Sequence, residues 1–231
     1  MYAKNKDKDY YQIDATIDKK IIGRSELPLS VEIKDQGFLN FRKEKLNNIN
    51  NYFNQVDLYF GFPEEVKGKM YQKKKNPIDI MLVIPSCLSL PYIISEKVKN
   101  ILSQLVSDEE YHLEKIEIDG YDKYFYFLFI PYLETWKYVD FSNTIFYNRS
   151  NKEEIKFKDF NSYEENKKLE RYAYKKLSLS GDLSTRKLIN IPVAGIFYHH
   201  TIINAFIKEN VVGFDIIEGG DFKVDLTFNT D

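Results

Sequence analysis

The clearest hydrophobic periodicity in the chain lies in SEKVKNILSQLV, which begins at Ser95. Ser95 suits the N-cap of a helix, and four apolar residues then recur at the spacing of one helical face: Val98, Ile101, Leu102 and Leu105. Two β-prone runs follow, LEKIEI and YDKYFYFLFI, separated by Asp119-Gly120. An Asp-Gly pair between such runs is typical of a type I′ hairpin turn, whose two central residues take positive φ. The pattern therefore predicts a helix, a strand, a tight turn and a strand.

The segment HHTIINAFIKENVVGFDIIEGGDF, residues 199–222, predicts the same order of elements. Thr201 can cap a short apolar helix, VVGFDII follows as a strand, and Gly219-Gly220 supplies a turn. Beyond the turn, FKVDLTF alternates between apolar and polar residues, as a half-buried strand does. Its apolar face consists of Phe222, Val224, Leu226 and Phe228. The chain is thus expected to contain two units of helix, strand, turn and strand.

Between these units the patterns are less regular. NTIFYN and EIKFKDF predict further strands, and YEENKKLERYAYKKL, residues 163–177, predicts a helix with opposite charges at helical spacing. Because helices alternate irregularly with hairpins, the predicted fold class is α+β with mainly antiparallel sheet. The 231 residues, 43% of them hydrophobic, are expected to form a single domain, 1–231. Residues 1–75 either join that domain or form an N-terminal subdomain.

The charge balance of the chain argues against nucleic acid as a binding partner. The chain has 33 basic and 35 acidic residues, so it lacks the basic excess that attracts nucleic acid. The apolar run IDIMLVIPSCLSLPYII is interrupted by proline and serine, and no membrane span is predicted. The single cysteine, Cys87, lies in this run and is expected to be a buried structural thiol. The N-terminus, MYAKNKDKDYY, lacks the apolar stretch of a secretory signal, which predicts a cytoplasmic protein.

No local pattern predicts catalytic chemistry or a bound cofactor. The three histidines are His112, His199 and His200. Adjacent histidines point in different directions on most backbones, unlike the i, i+4 pair of a metal-binding helix, so no metal site is predicted. GFPEEVKGKM lacks the glycine spacing of a phosphate-binding loop, and SLSGDLSTRK lacks a nucleophile elbow. We therefore expect no catalytic residues and no enzyme activity.

Three segments form a recognisable combination: NPIDIMLVIPSCLSLPYIISEKVKNILSQL, then WKYVDFSNTIFY after an aromatic strand, then NVVGFDII after a short terminal helix. Over residues 76–217 this combination resembles the bacterial polymorphic-toxin immunity family numbered eleven and its relatives. That family pairs a serine-glutamate helix start with an aspartate-containing strand segment, and it ends in a helix that leads into a Gly-aromatic strand. The matching residues here are Ser95, Glu96, Asp140, Ser142, Ile203, Phe206, Val212, Gly213 and Phe214.

The resemblance implies a non-enzymatic protein that binds and neutralises a cognate toxin delivered by a neighbouring cell. The chain departs from the family at His199-His200-Thr201, where a second serine-glutamate helix start is expected. Neutralisation requires a rigid scaffold that covers the toxin's functional surface with about 800 Å² per partner. Acidic loops and amphipathic aromatic residues are the expected contacts. They are Asp108, Glu109, Glu110, Trp136, Tyr138, Glu218 and Asp221.

Two other functions remain open at this point. An enzyme of unrecognised fold would need a concave pocket that gathers several polar residues, among them His199 or His200. A carbohydrate- or peptide-binding module would need an exposed aromatic groove, and the 18 tyrosines of the chain are its support.

Overall fold

A computed structural model of the chain describes residues 9–23, 27–48, 53, 59–87 and 90–229. Its strands are β1 Tyr10–Ala15, β2 Ser30–Ile33, β3 Val66–Met70, β4 Ile80–Cys87, β5 Leu90–Ser95, β6 His112–Ile118, β7 Tyr124–Phe129, β8 Ile145–Asn148, β9 Glu154–Ile155, β10 Tyr172–Leu179, β11 Leu188–Ile191, β12 Gly195–His199, β13 Phe214–Ile216 and β14 Asp225–Phe228. Its α-helices are α1 Lys19–Ile22, α2 Gln36–Phe41, α3 Glu96–Leu105, α4 Thr135–Tyr138, α5 Phe160–Lys167 and α6 His200–Lys208. A π-helical turn, Arg42–Leu46, continues α2, and a 3-10 helix spans Gly181–Thr185. The predicted α+β class is confirmed.

Six strands close into a barrel in the order β2-β3-β6-β7-β5-β4. β2 pairs with β4 and β3 with β6 in parallel, whereas the other neighbouring strands of the barrel are antiparallel. Aromatic and aliphatic side chains fill the interior, among them the fully buried Phe127 and Phe129. Phe38 of α2 stacks on Phe127 with ring centroids 5.3 Å apart, so α2 contributes to the barrel core.

Two four-stranded sheets complete the fold. The central sheet has the order β11-β12-β1-β13 and is antiparallel throughout. The outer sheet has the order β14-β10-β8-β9, in which β14 runs parallel to β10 and the other pairs are antiparallel. The mainly antiparallel character predicted from the hairpin signals is therefore confirmed.

Hydrophobic cores fill the spaces between these layers. One core joins α3 and α6 to the outer face of the barrel and to the central sheet, through residues such as Leu102, Phe206 and Tyr198. Another lies between the central and outer sheets and includes Phe197 and Tyr174. The central sheet contributes to both cores, so it packs against the barrel side on one face and against the outer sheet on the other. Among the described residues, no helix has the length and apolarity needed to cross a bilayer.

The described strands of the first 75 residues lie in two different sheets. β1 lies between β12 and β13 in the central sheet, and β2 and β3 lie between β4 and β6 in the barrel. The N-terminal strands therefore share backbone hydrogen bonds with strands from later in the chain.

The first predicted unit is confirmed in its elements and corrected in its turn. Ser95 caps α3, with its side chain accepting a hydrogen bond from the Val98 N–H. β6 and β7 then pair antiparallel, as the hydrophobic pattern predicts. The last pair in register joins Glu117 to Tyr124, so the connection is longer than a two-residue turn. Of Asp119-Gly120, only Gly120 takes a positive φ, of 83°, which excludes type I′.

The second unit has the predicted order of elements, but its strands belong to different sheets. β13 pairs with β1 in the central sheet, and β14 pairs with β10 in the outer sheet. The N-cap is His199 rather than Thr201, because the His199 side chain accepts from the Thr201 N–H. Phe222 precedes β14 and is 74% exposed, so its predicted place on a half-buried strand face is wrong.

The predicted helix over residues 163–177 is also corrected. α5 ends at Lys167, and residues from Tyr172 onward form β10. The charged residues favour a helix locally, but Tyr174 packs on Phe146 of the paired strand at 4.7 Å. Tyr172 packs on Phe157 at 5.1 Å. Burial of these aromatic rings between the two sheets outweighs the helix propensity of the lysines and glutamates.

The barrel and the central sheet meet at Gly213. The Thr16 N–H donates to the Gly213 carbonyl at 3.0 Å, and the Ile80 N–H of β4 donates to the Val212 carbonyl at 3.0 Å. Gly213 has a φ of +115°, and a Cβ at this position would lie 2.2 Å from the Ile80 carbonyl oxygen. Only glycine allows β4 to approach this closely.

This junction generates a stability prediction. We expect Gly213→Ala to lower the free energy of unfolding by about 3 kcal/mol, since the new methyl group meets backbone and φ is unfavourable. Gly219→Ala is the matched control, because nothing lies within 4 Å of its Cβ position. Urea unfolding followed by circular dichroism measures both, and equal losses in the two variants would contradict the junction's role.

Candidate functional site

A cleft of about 350 Å³ lies where the barrel, the central sheet and the outer sheet come together. Its lining comes from β1, β5, β10, β11, β12, the turn between β11 and β12, and the segment that leads into β14. The residues used below are Gln12, Asp14, Tyr92, Arg149, Asn190, Val193, Asp221 and Phe222. Most lining surface is apolar side chain with a few convergent polar groups, the composition typical of a binding site.

Val193 stands at the mouth of this cleft in a strained backbone conformation. In the turn between β11 and β12, the Ala194 N–H donates to the Ile191 carbonyl at 3.1 Å. Val193, after Pro192, has a φ of 71°, the left-handed region that glycine normally occupies at this turn position. For a β-branched residue this conformation costs on the order of 1–3 kcal/mol. The side chain is nevertheless 56% exposed, so burial does not offset the cost.

Phe222 is the second exposed apolar side chain of the cleft, and its backbone is held on both sides. Before it, Asp221 accepts from the Lys152 ammonium at 2.7 Å, and its carbonyl accepts from the Tyr147 hydroxyl at 2.8 Å. After it, the Val224 N–H donates to the Gln12 side-chain oxygen at 2.7 Å. The exposed ring is thus presented from an anchored segment.

Two buried amide side chains stand in the wall of the cleft. Gln12 uses both ends of its amide, since its oxygen accepts from the Val224 N–H and its nitrogen donates to the Ala194 carbonyl, both at 2.7 Å. Asn190 is 3% exposed, and its amide nitrogen donates to the Ile130 carbonyl at 2.7 Å. No described residue donates a hydrogen bond to the Asn190 side-chain oxygen. Such an unsatisfied buried acceptor is costly unless something else pairs with it.

The charged residues that line the cleft are Asp14, Asp221 and Arg149. Asp14 of β1 and Asp215 of β13 stand directly opposite each other, a repulsive cross-strand pair. Their carboxylates accept backbone N–H groups of Ala15 and Ile17. Burial, followed by the charge of Asp14, raises the pKa of the Tyr92 hydroxyl above its ordinary value, so the field of Asp14 reaches the wall of the cleft.

The predicted contact residues lie on three separate parts of the surface. Asp221 lines the cleft, and Glu218 is exposed three residues before it. Tyr138 lies at the far end of β10, where its carbonyl accepts from the Ser180 N–H. Asp108 and Glu109 are exposed in the connection between α3 and β6. The structure therefore does not gather the predicted contacts into one patch.

Glu110 is corrected from a predicted surface contact to a structural residue. It is 7% exposed, and its carboxylate accepts the N–H groups of Lys187 and Leu188, both at 2.7 Å. These bonds fasten the start of β11 to the connection between α3 and β6. The carboxylate is used inside the fold, and the side chain has almost no surface to offer a partner.

Trp136 is exposed at the edge of an aromatic cluster. The indole is 49% exposed and packs on Phe53 at 4.9 Å and on Phe160 at 5.9 Å. Tyr138 follows on the same short helix, with the Lys137 ammonium 4.9 Å from its ring centroid. This end of the outer sheet is a second aromatic surface, separate from the cleft.

The paired histidines form a local cluster outside the cleft. The rings of His199 and His200 lie 4.2 Å apart. The His199 Nδ1 accepts from the Thr201 hydroxyl at 2.8 Å and lies 3.4 Å from the Lys187 ammonium. Burial, then Lys187 and His200, lower the pKa of His199 to about 4. The imidazole is neutral near pH 7 and serves as the cap of α6.

Other reactive groups have structural surroundings. Cys87 is buried, as predicted, and burial raises the pKa of its thiol. Within the described ranges, no group of three or more His, Cys, Asp or Glu side chains is arranged to hold a metal ion.

The sequence indicates only some of the residues that form the cleft. Gly219-Gly220 and the flanking acids mark the rim turn, whereas the exposure of Phe222 is hidden by the alternating pattern that follows it. Val193 follows a proline in IPVAG, a turn signal that gives no indication of its φ.

No protein-family model matches the chain, and no curated protein matches it either.

The His199 cap predicts a pH dependence of stability. The folded-state pKa of about 4 lies below the ordinary value of 6.5, so the unfolded chain binds the proton first as the pH falls. The contribution of the neutral His199 side chain to the free energy of unfolding is therefore complete above pH 6.5, and it is lost progressively towards pH 4. NMR titration of the His199 ring and urea unfolding at several pH values measure this. His199→Asn keeps a cap acceptor but does not titrate. If this variant shows the same loss between pH 6.5 and pH 4 as the parent chain, the assignment is wrong.

Proposed function

We propose that this protein is an immunity protein, which binds a cognate bacterial toxin in the cytoplasm and covers its functional surface. One observation carries the proposal: Phe222 and Val193, two large apolar side chains, are exposed together beside one cleft on a rigid frame. Exposed aromatic residues next to a pocket are frequent energetic centres of protein interfaces. The resemblance of residues 76–217 to toxin-immunity proteins supports the same role.

The arrangement of the surface suits binding without a chemical step. The rim segment is anchored on both sides of Phe222, so little conformational entropy is lost when a partner covers the ring. Trp136 supplies a further exposed aromatic side chain towards the far end of the outer sheet. An interface of about 800 Å² per partner is large enough to extend beyond the cleft itself.

A peptide-binding module is the second candidate, and the aromatic lining of the cleft favours it. Tyr92, Tyr132 and Phe222 all line the cleft, which has the size of sites that take one or two side chains. The two candidates differ in their partner. An immunity protein binds its toxin in the folded state, whereas a peptide-binding module binds a short peptide from its partner as tightly as it binds the whole partner.

Co-expression with the toxin encoded beside its gene tests the proposed function. We expect the chain to restore growth of cells that produce the toxin and to co-purify with it. Phe222→Ala should weaken the complex by about 2 kcal/mol, the loss typical of an aromatic hot spot. Phe60→Ala is the matched control, since Phe60 is 72% exposed and does not line the cleft. Growth arrest despite normal expression, or equal effects of the two substitutions, would defeat the proposal.

Val193→Gly separates stability from binding. Glycine adopts a φ of 71° without strain, so we expect the free energy of unfolding to stay constant or to rise by about 1 kcal/mol. The same substitution removes the apolar contact and should weaken toxin binding. Calorimetric titration and urea unfolding measure the two effects. A variant that binds as tightly as the parent chain would remove Val193 from the interface.

A further inference from the structure

The buried side chain of Asn190 brings an open hydrogen-bond acceptor to the wall of the cleft. Asn190 lies directly opposite Ile196 in the β11-β12 pair, so the two side chains project from the same face of the central sheet. Both residues line the cleft. The Asn190 nitrogen is fixed towards the Ile130 carbonyl, a group that only accepts hydrogen bonds. The side-chain oxygen receives no hydrogen bond from the described residues, although Asn190 is only 3% exposed.

Two further buried polar side chains of the lining direct their donors away from this oxygen. The Tyr92 hydroxyl donates to the Ile13 carbonyl at 3.3 Å. The Gln12 nitrogen donates to the Ala194 carbonyl at 2.7 Å. Because an unpaired buried acceptor is costly, a donor group brought into the cleft by an occupant would gain a hydrogen bond that the fold itself does not form.

The charged residues of the lining do not favour either sign of charge in an occupant. Asp14 and Arg149, one carboxylate and one guanidinium, are both exposed. Asp221 is already paired with the Lys152 ammonium at 2.7 Å. A charged occupant would lose its hydration without meeting an excess of the opposite charge. The lining therefore favours an uncharged group.

Aromatic side chains supply much of the apolar surface of the cleft. Tyr92, Tyr132 and Phe222 belong to the lining, and Phe222 is 74% exposed. Aromatic rings that pack on one another contribute more to binding than their buried area alone. The volume of about 350 Å³ lies at the lower end of the range of ligand sites, which suits a single large side chain.

We propose that the cleft accepts a tryptophan side chain from the partner protein. The inference rests on the proposed function for the identity of the partner as a toxin, and it adds the chemistry of the inserted residue. The indole is uncharged and combines a large aromatic surface with one N–H donor and no acceptor. Its N–H donates to the Asn190 oxygen, and its rings pack against the aromatic lining.

Two small uncharged probes test this on the full chain. They are N-acetyl-tryptophan amide and N-acetyl-benzothienylalanine amide, in which sulfur replaces the indole N–H on a ring system of nearly the same shape. Binding is followed by ¹⁵N NMR at the Asn190 side-chain amide and the Ile196 backbone amide. We expect the tryptophan probe to shift both signals and the sulfur analogue to bind about fivefold to tenfold more weakly, the effect of one hydrogen bond to a buried acceptor. The N-acetylated amides of arginine and glutamate should bind more weakly than the tryptophan probe.

Asn190→Leu supplies the matched variant, because leucine has a similar size and no polar side-chain atom. The two aromatic probes should bind this variant with equal affinity. Asn166→Leu is the control: the Asn166 nitrogen likewise donates to a backbone carbonyl, that of Ser162 at 2.8 Å, but the residue does not line the cleft. It should keep the preference of the parent chain for tryptophan. Circular dichroism checks the fold of both variants, and if Asn190→Leu does not fold, the two probes on the parent chain decide.

The possible results separate this proposal from the proposed function. Equal binding of the two aromatic probes to the parent chain, a preference for tryptophan that persists in Asn190→Leu, or tighter binding of a charged probe overturns the tryptophan occupant. If the chain still rescues cells from the toxin in that case, only this occupant is lost. The expected preference with no rescue supports the tryptophan site and overturns the toxin as the partner.

Discussion

The carboxylate of Asp79, together with the bare backbone of Gly213, holds the barrel to the central sheet. One Asp79 oxygen accepts from the Ser95 hydroxyl at 2.7 Å, and the other accepts from the Val212 N–H and the Lys97 ammonium, both at 2.9 Å. The Asp79 carboxylate, which directly precedes β4, therefore binds both the start of α3 and the segment between α6 and β13. Charge-assisted bonds of this kind are stronger than neutral ones, and at Gly213 a Cβ would lie 2.2 Å from the Ile80 carbonyl oxygen.

The cleft depends on this junction through the central sheet. Gln12 of β1 binds the Ala194 carbonyl on one side and the Val224 N–H on the other. A single buried amide thus ties the turn that carries Val193 to the segment that carries Phe222. The two exposed apolar side chains keep a fixed relative position because both loops are fastened to the same strand. A surface organised in this way loses little entropy when a partner binds.

The sequence predicts those parts of the fold that local interactions determine. The cap at Ser95, the apolar face of α3 and the β6-β7 hairpin all follow from neighbouring residues, and each is found. The prediction for residues 163–177 is wrong because aromatic packing between sheets decides the matter, and that packing joins residues distant in sequence. The separation of β13 from β14 is likewise non-local, since each strand selects a partner far along the chain.

In the candidate site, too, some features follow from the local sequence and others arise only from packing between distant residues. The acidic glycine turn at Glu218–Asp221 is visible in the sequence, whereas the open acceptor of Asn190 exists only once β11 is buried. Val193 is the most informative of the residues that the sequence does not reveal. A valine at a φ of 71° destabilises the fold where glycine would not, and its exposed side chain returns no burial energy. Residues that violate local conformational preferences are expected mainly at functional or strained sites. The positive φ of Val193 therefore favours the cleft as a contact surface.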